Sequence, residues 1–406
     1  MLPQTQNTID DRLAILGGAP AVKTQAPAWP FFDEDDRRAL NDVLESQVWG
    51  GYHESVAELE RRFAAFHGAE YGIAVVNGTV SLEIALTAAG IKPGDEVIVP
   101  PITFVASATA VARVGAVPVF VDIDPQTINL NPDLVEQSVT DRTRAIIGVH
   151  FAGHPIELDR LVELCRQRDL KLIEDCAHAH GAQWHNQRVG SFGSFGSFSF
   201  QASKNMTAGE GGMLITSDAL LAERARALSN QGRRTGGAWY EHQTLGTNAR
   251  LTGFQAVLLL NQLERLPQQL EMRMERAAYL RDRLRTIEGL APTPVMLDER
   301  VRIHGYHLFS MRFDGSSWRN VPRDKVVAAL QAEGVPVTAG YPQPIYRNEL
   351  FQQHDHVVQP CPEAESYCRS SIWLPHNALL ADQTWLDEVV AAIEKVTNGV
   401  DELATL

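Results

Sequence analysis

Residues 72–89 read GIAVVNGTVSLEIALTAA, and the expected architecture rests on this segment. It begins with a short apolar run rich in valine, which is typical of a buried strand. Asn77-Gly78-Thr79 interrupts the run, and a stretch of helical composition follows. We therefore predict a strand over 72–76 and a turn and helix over 78–89.

The same alternation of strands and helices continues along the next 140 or so residues. Further strands are predicted at 97–99, 117–121, 145–149, 170–174, 195–200 (or a paired hairpin) and 212–216, with helices at 103–114, 156–168 and 218–229. Such alternation is typical of an α/β fold, with a parallel sheet covered by helices on both faces. Ligands of these sheets bind beyond the carboxyl ends of the strands, so we expect Asn77, Pro101 and Asp175 to meet there.

The rest of the sequence adds helices before and after this alternation, and its pattern then changes near residue 290. Helices are expected at 33–44, at 56–68 and at 252–266, where Pro267 punctuates a helix that continues over 268–285. From about residue 290 separated elements follow, a strand at 306–312 and helices at 323–333 and 382–396. We predict an N-terminal arm and large domain over 1–270 and a small C-terminal α+β domain over 271–406. The proline-rich first 35 residues are expected to lie over the surface or over a partner subunit.

Composition excludes several classes of function. The net charge of −14 opposes nonspecific binding to nucleic acid or anionic membranes. The chain lacks an apolar run long enough for a transmembrane helix, and residues 1–11 lack the order of a signal peptide. The chain has few cysteines, namely Cys165, Cys176, Cys361 and Cys368, and none of them forms a C-x-x-C pair. This usage indicates reduced thiols. We therefore expect a cytoplasmic protein.

Three separated features together indicate a cofactor site. Lys204 follows a hydroxyl-rich strand, Asp175 comes directly after the strand at 170–174, and the turn at Asn77 starts a helix. Each has an ordinary explanation alone: a solvent-facing lysine, a helix-capping aspartate and a capped helix start. Together they are what a chain needs to hold pyridoxal phosphate, because a lysine can form an imine, a carboxylate can face the ring nitrogen and a helix start can bind phosphate. The glycines at 209–212 would let the backbone approach the cofactor ring.

Other residues near these positions are candidate contacts of the same ligand. His178 could hydrogen-bond the phenolic oxygen of the ring, and Ser199 could add a hydroxyl to the phosphate site. The ring of Phe104 could stack on the cofactor, although a core phenylalanine is the usual outcome. Asp175 and three histidines (His178, His180 and His185) also suggest a metal site as an alternative, but their spacing matches no zinc pattern. We predict no metal.

Together these motifs resemble the DegT/DnrJ/EryC1/StrS family of sugar and cyclitol aminotransferases over nearly the whole chain. The motifs are Trp49-Gly50-Gly51, Asn77-Gly78-Thr79, Pro100-Pro101-Ile102-Thr103-Phe104, Asp175-Cys176-Ala177-His178-Ala179-His180-Gly181-Ala182, Phe198-Ser199-Phe200, Lys204, Gly209-Glu210-Gly211-Gly212 and Gly246-Thr247-Asn248-Ala249-Arg250. The resemblance implies the fold of fold-type I, aspartate aminotransferase-like pyridoxal-phosphate enzymes. It also implies a homodimer with shared active sites.

The resemblance also implies a role for each site residue. Lys204 would carry the cofactor as an imine, with Asp175 at the pyridine nitrogen, His178 at the phenolic oxygen (where many relatives carry glutamine), Phe104 on the ring, Gly78, Thr79 and Ser199 at the phosphate, and Asn248 at the phosphate of the neighbouring subunit. The implied reaction is transamination of a keto-cyclitol, such as scyllo-inosose, or of a keto-sugar. Glutamine or glutamate would be the amino donor.

The residues leave several alternatives open. Three motifs are similar to the keto-cyclitol branch, with the aminohydroxybenzoate synthases nearby: Ala28-Trp29-Pro30, Trp49-Gly50-Gly51 and Ala177-His178-Ala179-His180-Gly181-Ala182. Ala202-Ser203 before the lysine is similar to enzymes of nucleotide-linked keto-sugars. A dehydrating or aromatising enzyme, and a non-catalytic regulator that keeps the fold, are further alternatives. Loops at 47–53, 231–247 and 338–348 are expected to shape the pocket. Tyr341 and Tyr346 are candidate substrate contacts, and packing in the protein interior is the equally good alternative for both.

Overall fold

A computed structural model describes residues 12–294 and 298–405, so the interpretation of residues 1–11 lies outside the described residues. The helices are α1 Glu34–Ser46, α2 Glu54–His67, α3 Gly78–Ala88, α4 Ala106–Arg113, α5 Pro132–Ser138, α6 Leu158–Arg168, α7 Ala219–Ser229, α8 Gly253–Leu284, α9 Arg323–Ala332, α10 Pro362–Ser370, α11 Gln383–Asn398 and α12 Val400–Thr405. The strands are β1 Tyr71–Val75, β2 Glu96–Val99, β3 Val117–Phe120, β4 Thr143–Val149, β5 Lys171–Asp175, β6 Gln183–Trp184, β7 Gln187–Arg188, β8 Phe195–Ser199, β9 Gly212–Thr216, β10 Leu290–Thr293, β11 Val301–Ile303, β12 Leu308–Phe313, β13 Thr338–Ala339, β14 Val357–Val358 and β15 Ser371–Pro375. Each predicted strand and helix has a counterpart within a few residues.

The large sheet has the order β1-β9-β8-β5-β4-β2-β3-β14 in the described part of the chain. All neighbours are parallel except β1 with β9 and β8 with β9, so the predicted mostly parallel sheet is confirmed. Because β9 is antiparallel to both β1 and β8, those two strands run in the same direction. The carboxyl ends of β1, β8 and β5 therefore lie at one edge of the sheet.

Alternate residues of the central strands enter different apolar clusters. Ile146 of β4 packs with α2, α6 and α8 on one face, and Ile147 packs with α3, α4 and α7 on the other. The same alternation separates Ala74 from Ile73 and Val75 in β1. Side chains of a strand point alternately to its two faces, so a strand that is apolar at every position must be covered on both sides.

Helix α8 is continuous through Pro267, which the sequence pattern placed between helical segments at 252–266 and 268–285. A proline removes one backbone hydrogen bond, but packing on both sides of it offsets this loss. Leu263, Leu266 and Leu270 pack in the cluster under the large sheet, whereas Ala277 and Leu280 pack in the C-terminal cluster. The predicted domain boundary at 270 thus falls inside this helix. The boundary stays a prediction, and the change of apolar partners along α8 supports it.

The C-terminal part is built on a second sheet of order β10-β12-β15-β13, packed against α9, α11 and the end of α8. The N-terminal arm lies over this part of its own chain. Leu13 and Val22 are buried there, and the carboxylate of Glu333 accepts hydrogen bonds from the N–H groups of Ala14 (2.7 Å) and Ala21 (2.9 Å). Farther along the arm, Trp29 contacts the loop that follows β8, at the edge of the large sheet where the strands end.

All four cysteines are free thiols, and all four are buried. Among the described residues we find no helix whose length and apolarity would let it cross a membrane.

Candidate active site

A cavity of about 600 Å³ opens at the carboxyl edge of the large sheet. The predicted site residues that line it are Gly78, Thr79, Phe104, Asp175, His178, Ser199 and Lys204. Pro101, which was expected to meet Asn77 and Asp175, does not line it, and its carbonyl oxygen accepts a hydrogen bond from Ile345 N (3.0 Å). The shared strand direction of β1, β8 and β5 is what gathers these residues.

The start of α3 forms one wall of the cavity. The Asn77 side chain accepts a hydrogen bond from Val80 N (2.8 Å). The N–H groups of Gly78 and Thr79 have no helical partner because they lie in the first turn of the helix. This turn packs in close contact with β8 and β9. A Cβ on Gly212 would lie 2.5 Å from the carbonyl oxygen of Asn77, and one on Gly78 would lie 2.7 Å from Ser199 Cβ. The glycine at 212 therefore serves close packing of the chain. Helix dipole, free N–H groups and hydroxyls make this wall a site for an anion.

Asp175 is buried and held by two donors. Ser107 Oγ donates to Oδ2 (2.8 Å), and Ala177 N donates to Oδ1 (3.2 Å). Thr103 Oγ1 lies 2.9 Å from Ser107 Oγ and must be the donor, because Ser107 gives its only proton to Asp175. Burial raises the pKa of the Asp175 carboxyl, opposed by these hydrogen bonds and by the charge of Lys204. Such a carboxylate is suited to a cationic partner in the cavity.

Lys204 is half-buried in the loop that follows β8. Burial lowers the pKa of its amine to about 8, although the charge of Asp175 acts in the opposite direction. About a tenth of the amine is then neutral near pH 7, compared with less than a thousandth for an ordinary lysine. A neutral amine is the nucleophilic form, so this environment activates Lys204 for imine chemistry.

His178 is buried and neutral, and its surroundings determine its tautomer. Burial lowers the pKa of His178 well below its usual range, and the charge of Lys204 lowers it further. Ala152 N donates to Nδ1 (3.3 Å), so the proton of the neutral ring is on Nε2. The ring of His307 stacks on that of His178, with 4.2 Å between their centroids. His178 is thus a neutral hydrogen-bond donor at the cavity wall.

The alternative metal site of Asp175 and three histidines is not formed. His180 is buried and lies with Nε2 2.9 Å from the carbonyl oxygen of Ser199. His185 is exposed and pairs with Asp159 (3.1 Å). Within the described residues, the close group of ligand-type side chains is a different one, His150, Glu174 and Cys176. The Glu174 carboxylate in that group accepts backbone hydrogen bonds from Gly190, Phe192 and Gly193, so it is already satisfied.

The loops that were expected to shape the pocket lie outside the cavity of this chain. Asn248 is exposed and pairs with Asn230 across a short bridge, away from the cavity lining. Tyr341 packs edge to face on Trp373 with centroids 4.9 Å apart, and Tyr346 donates to Glu365 (3.1 Å). Neither tyrosine lines the cavity, and both pack in a satellite apolar cluster.

Several residues at the site were not singled out by the sequence. Ser107 could have been found, because it follows Phe104 by almost one helical turn and therefore shares its face of the segment. His307, His376 and Trp29 approach the lysine loop from distant parts of the chain. Their separation in sequence offers no spacing signal.

A half-buried lysine with a lowered pKa, a buried aspartate and an anion-binding helix start, at the carboxyl edge of a mostly parallel sheet, define a transferase of the aspartate aminotransferase-like fold. The chain belongs to the DegT/DnrJ/EryC1/StrS aminotransferase family, whose model matches residues 30–394. It is therefore an aminotransferase, and the predicted family and fold are confirmed.

Relatives and a solved structure support the assignment over almost the full length. The L-glutamine:2-deoxy-scyllo-inosose aminotransferase of Micromonospora echinospora is 39% identical, covering 96% of this chain and 99% of the relative. The 3-amino-5-hydroxybenzoate synthase of Amycolatopsis mediterranei (strain S699) is 38% identical over 92% of this chain and 97% of its own. The crystal structure of a 3-amino-5-hydroxybenzoic acid (AHBA) synthase matches with a TM-score of 0.85 and 37% identity, covering 93% and 99% of the two chains.

Proposed function

We propose that the protein is a pyridoxal-phosphate-dependent enzyme that transfers the amino group of glutamine to a keto-cyclitol of the scyllo-inosose type. The observation that carries the proposal is the activated amine of Lys204, which shares one cavity with the buried carboxylate of Asp175 and the free N–H groups at the start of α3. The similarity to an L-glutamine:2-deoxy-scyllo-inosose aminotransferase over nearly the full chain supports both the donor and the acceptor.

The cavity has a group for each part of pyridoxal phosphate. The N–H groups of Gly78 and Thr79 and the Ser199 hydroxyl suit the phosphate, and the buried Asp175 carboxylate suits the protonated ring nitrogen. His178 Nε2–H suits the phenolic oxygen, and Phe104, which is 59% exposed at the cavity mouth, offers its ring to the cofactor face. When bound, the cofactor supplies an electron sink for the charge that develops at the reacting carbon.

Lys204 has two successive tasks in this proposal. Its Nζ would hold the cofactor until the amino donor takes its place. The released Nζ would then take the proton from the α-carbon of glutamine and deliver it to the carbon on the other side of the transferred nitrogen, as general base and then acid. A pKa of about 8 suits both tasks, because the amine can accept and release a proton near neutral pH. Asp175 would face the ring nitrogen as a carboxylate and would favour its protonated form.

A spectroscopic titration tests the proposal. Supplied with pyridoxal phosphate, the purified protein should develop a visible absorbance band that glutamine removes in favour of a near-ultraviolet band. A scyllo-inosose-type ketone should then restore the visible band and yield the aminated cyclitol. Absence of the visible band would contradict the cofactor and the role of Lys204, and a band insensitive to glutamine and glutamate would favour the non-catalytic alternative.

The second candidate function is that of an aminohydroxybenzoate synthase, an enzyme that uses the same cofactor for elimination and aromatisation. The similarity to the Amycolatopsis mediterranei enzyme and to the AHBA synthase structure favours this alternative. Product analysis separates the two, since only the second would give an aromatic product from its keto-cyclitol substrate. Recovery of the visible band with a nucleotide-linked keto-sugar, and not with a scyllo-inosose, would favour the keto-sugar alternative.

We further propose a homodimer in which Asn248 reaches the phosphate site of the neighbouring subunit. In its own chain Asn248 is exposed and outside the cavity. The surface near it carries several exposed apolar side chains, namely Trp49, Tyr52, Trp239, Tyr240 and Leu245. Exposed apolar patches of this kind mark interfaces between proteins. A light-scattering mass equal to that of one chain would contradict the dimer.

Replacing His178 should distinguish hydrogen bonding from ring packing at this position. His178→Gln should keep kcat within about fivefold, because an amide offers both an N–H donor to the cavity and an acceptor for Ala152 N. His178→Phe keeps the stack on His307 but removes the donor, and we expect kcat to fall by roughly tenfold to a hundredfold. Steady-state kinetics with glutamine check this, and equal activity of the two variants would remove the proposed hydrogen bond.

A further inference from the structure

Two adjacent carbonyl groups at the reactive lysine are bound by side chains from distant parts of the chain. Trp29 Nε1, in the N-terminal arm, donates to the carbonyl oxygen of Lys204 (3.1 Å). His376 Nε2, just after β15, lies 3.1 Å from the carbonyl oxygen of Ser203. The two rings also touch edge to face, with centroids 4.6 Å apart. Asn377 Nδ2 donates to Pro27 O (2.8 Å) and ties the arm to the same C-terminal segment.

Arg273 of α8 determines which nitrogen of His376 carries its proton. Arg273 is fully buried, and its Nη2 donates to His376 Nδ1 (3.1 Å). A guanidinium can only donate, so Nδ1 must accept and the proton of the neutral ring is on Nε2, facing Ser203. Burial and then the charge of Arg273 lower the pKa of His376 well below its usual range. The donor to the Ser203 carbonyl is therefore neutral and oriented at physiological pH.

His307 connects this contact to the cavity. Its ring stacks on His178 on one side, at 4.2 Å, and faces His376 on the other, at 5.7 Å. Asn205 Nδ2 donates to Gly305 O (2.6 Å), so its Oδ1 faces His307 Nδ1 (3.1 Å) and accepts from it. The four rings of His178, His307, His376 and Trp29 thus form one packed column from the cavity wall to the N-terminal arm.

The loop that carries Lys204 has little regular structure to fix it. Residues 201–207 belong to neither helix nor strand, and Lys204 N donates to Gln201 O within the loop (2.9 Å). The side chain contacts with the two carbonyls therefore hold the backbone immediately before and at Lys204. Fixing both peptide units fixes the direction in which the Lys204 Cα–Cβ bond points, and thus the place from which the side chain extends toward Asp175.

We propose that Trp29 and His376 are positioning residues for Lys204, through which the N-terminal arm and the C-terminal part hold the lysine amine in its reactive place. This inference rests on the proposed function, since it assigns a purpose to the position of that amine. A displacement of reacting groups by about 1 Å can cost roughly a hundredfold in rate, so loss of one anchor should affect chemistry more than stability. Neither residue lines the cavity, and neither is expected to touch the substrate.

Trp29→Phe with Trp318→Phe as a matched control tests the inference. Trp29→Phe keeps a ring against His376 but removes the N–H that binds Lys204 O. Trp318 is a buried tryptophan whose Nε1 donates to Glu288 O (2.7 Å) in the C-terminal part, so Trp318→Phe removes an equivalent bond elsewhere. The readouts are the rate at which the visible band appears with pyridoxal phosphate, kcat, KM for glutamine, and the melting temperature.

We expect Trp29→Phe to slow band formation and to lower kcat by roughly tenfold each, with KM within about twofold. Trp318→Phe should lower the melting temperature at least as much while leaving both rates unchanged. The variant His376→Gln adds a second comparison. Its amide can donate to Ser203 O and accept from Arg273 Nη2, so both rates should be near the wild-type values. Wild-type rates in Trp29→Phe would overturn the inference while the proposed function stands. A wild-type protein without any visible band would overturn both.

Discussion

Lys204→Ala should lower kcat for amino transfer by at least about 10⁴-fold and remove the visible band of the bound cofactor. The alanine variant lacks both the amine that binds the cofactor and the group that moves the proton. The amine has a pKa lowered by burial to about 8, so its removal also removes a poorly solvated cation from the folded state. We therefore expect the variant to fold with unchanged or slightly higher stability.

The measurement is the turnover of glutamine with a scyllo-inosose-type ketone, together with the absorbance spectrum. Lys92→Ala is the control, because Lys92 is exposed in the turn before β2, away from the cavity. That variant should keep wild-type turnover and spectrum. Turnover above about a hundredth of the wild-type value in Lys204→Ala would show that another group performs the chemistry.

Asp175→Asn should lower kcat by about 10²-fold to 10⁴-fold without unfolding the protein. The amide has nearly the same shape and can still accept a hydrogen bond from Ser107, but it has no negative charge to keep the ring nitrogen protonated. Electron withdrawal by the cofactor then weakens, and the proton on the donor α-carbon becomes harder to remove. Ser107→Ala removes one donor to the carboxylate and should have a smaller effect, up to about tenfold.

Asp122→Asn is the matched control for this experiment. Asp122 is also a buried aspartate just beyond a strand of the large sheet, and its carboxylate accepts backbone N–H groups of Glu363 and Ala364 (2.9 Å each). It does not line the cavity. Asp122→Asn should lower the melting temperature and leave kcat of the folded enzyme unchanged. If Asp175→Asn behaved in the same way, the carboxylate would have only a structural role.

The elements of the fold follow from local patterns that need no partner. Ile73 and Val75 alternate with Ala74 between two apolar clusters, and the same pattern recurs in β4. A run of apolar residues of this length is a strand that must be covered on both faces, wherever the rest of the chain lies. The lysine, the aspartate and the Asn77 turn could also be predicted, because each follows a recognisable strand, and parallel strands end at one edge of the sheet.

The sequence pattern divided the long helix into two segments at Pro267, and the structure joins them into the single helix α8. A local rule about proline misses the packing on both sides of it, where leucines on the N-terminal side and Ala277 and Leu280 on the C-terminal side meet different apolar clusters. Tertiary contacts of this size outweigh the loss of one backbone hydrogen bond. Of the two roles left open for Tyr341 and Tyr346, the structure shows packing against an apolar cluster, and residue type alone could not tell a binding tyrosine from a packed one.

The sequence alone could identify the α/β elements and most residues of the candidate site, because these depend on periodicity and on positions just after strands. The surroundings that activate and orient those residues exist only in the tertiary structure. Trp29 lies 175 positions from Lys204, and His376 lies 173 positions from Ser203. A hydrogen bond between such residues depends on how an arm and two sheets pack together, and no spacing in the chain encodes that. The low pKa of Lys204 has the same origin, since burial is a property of the folded protein.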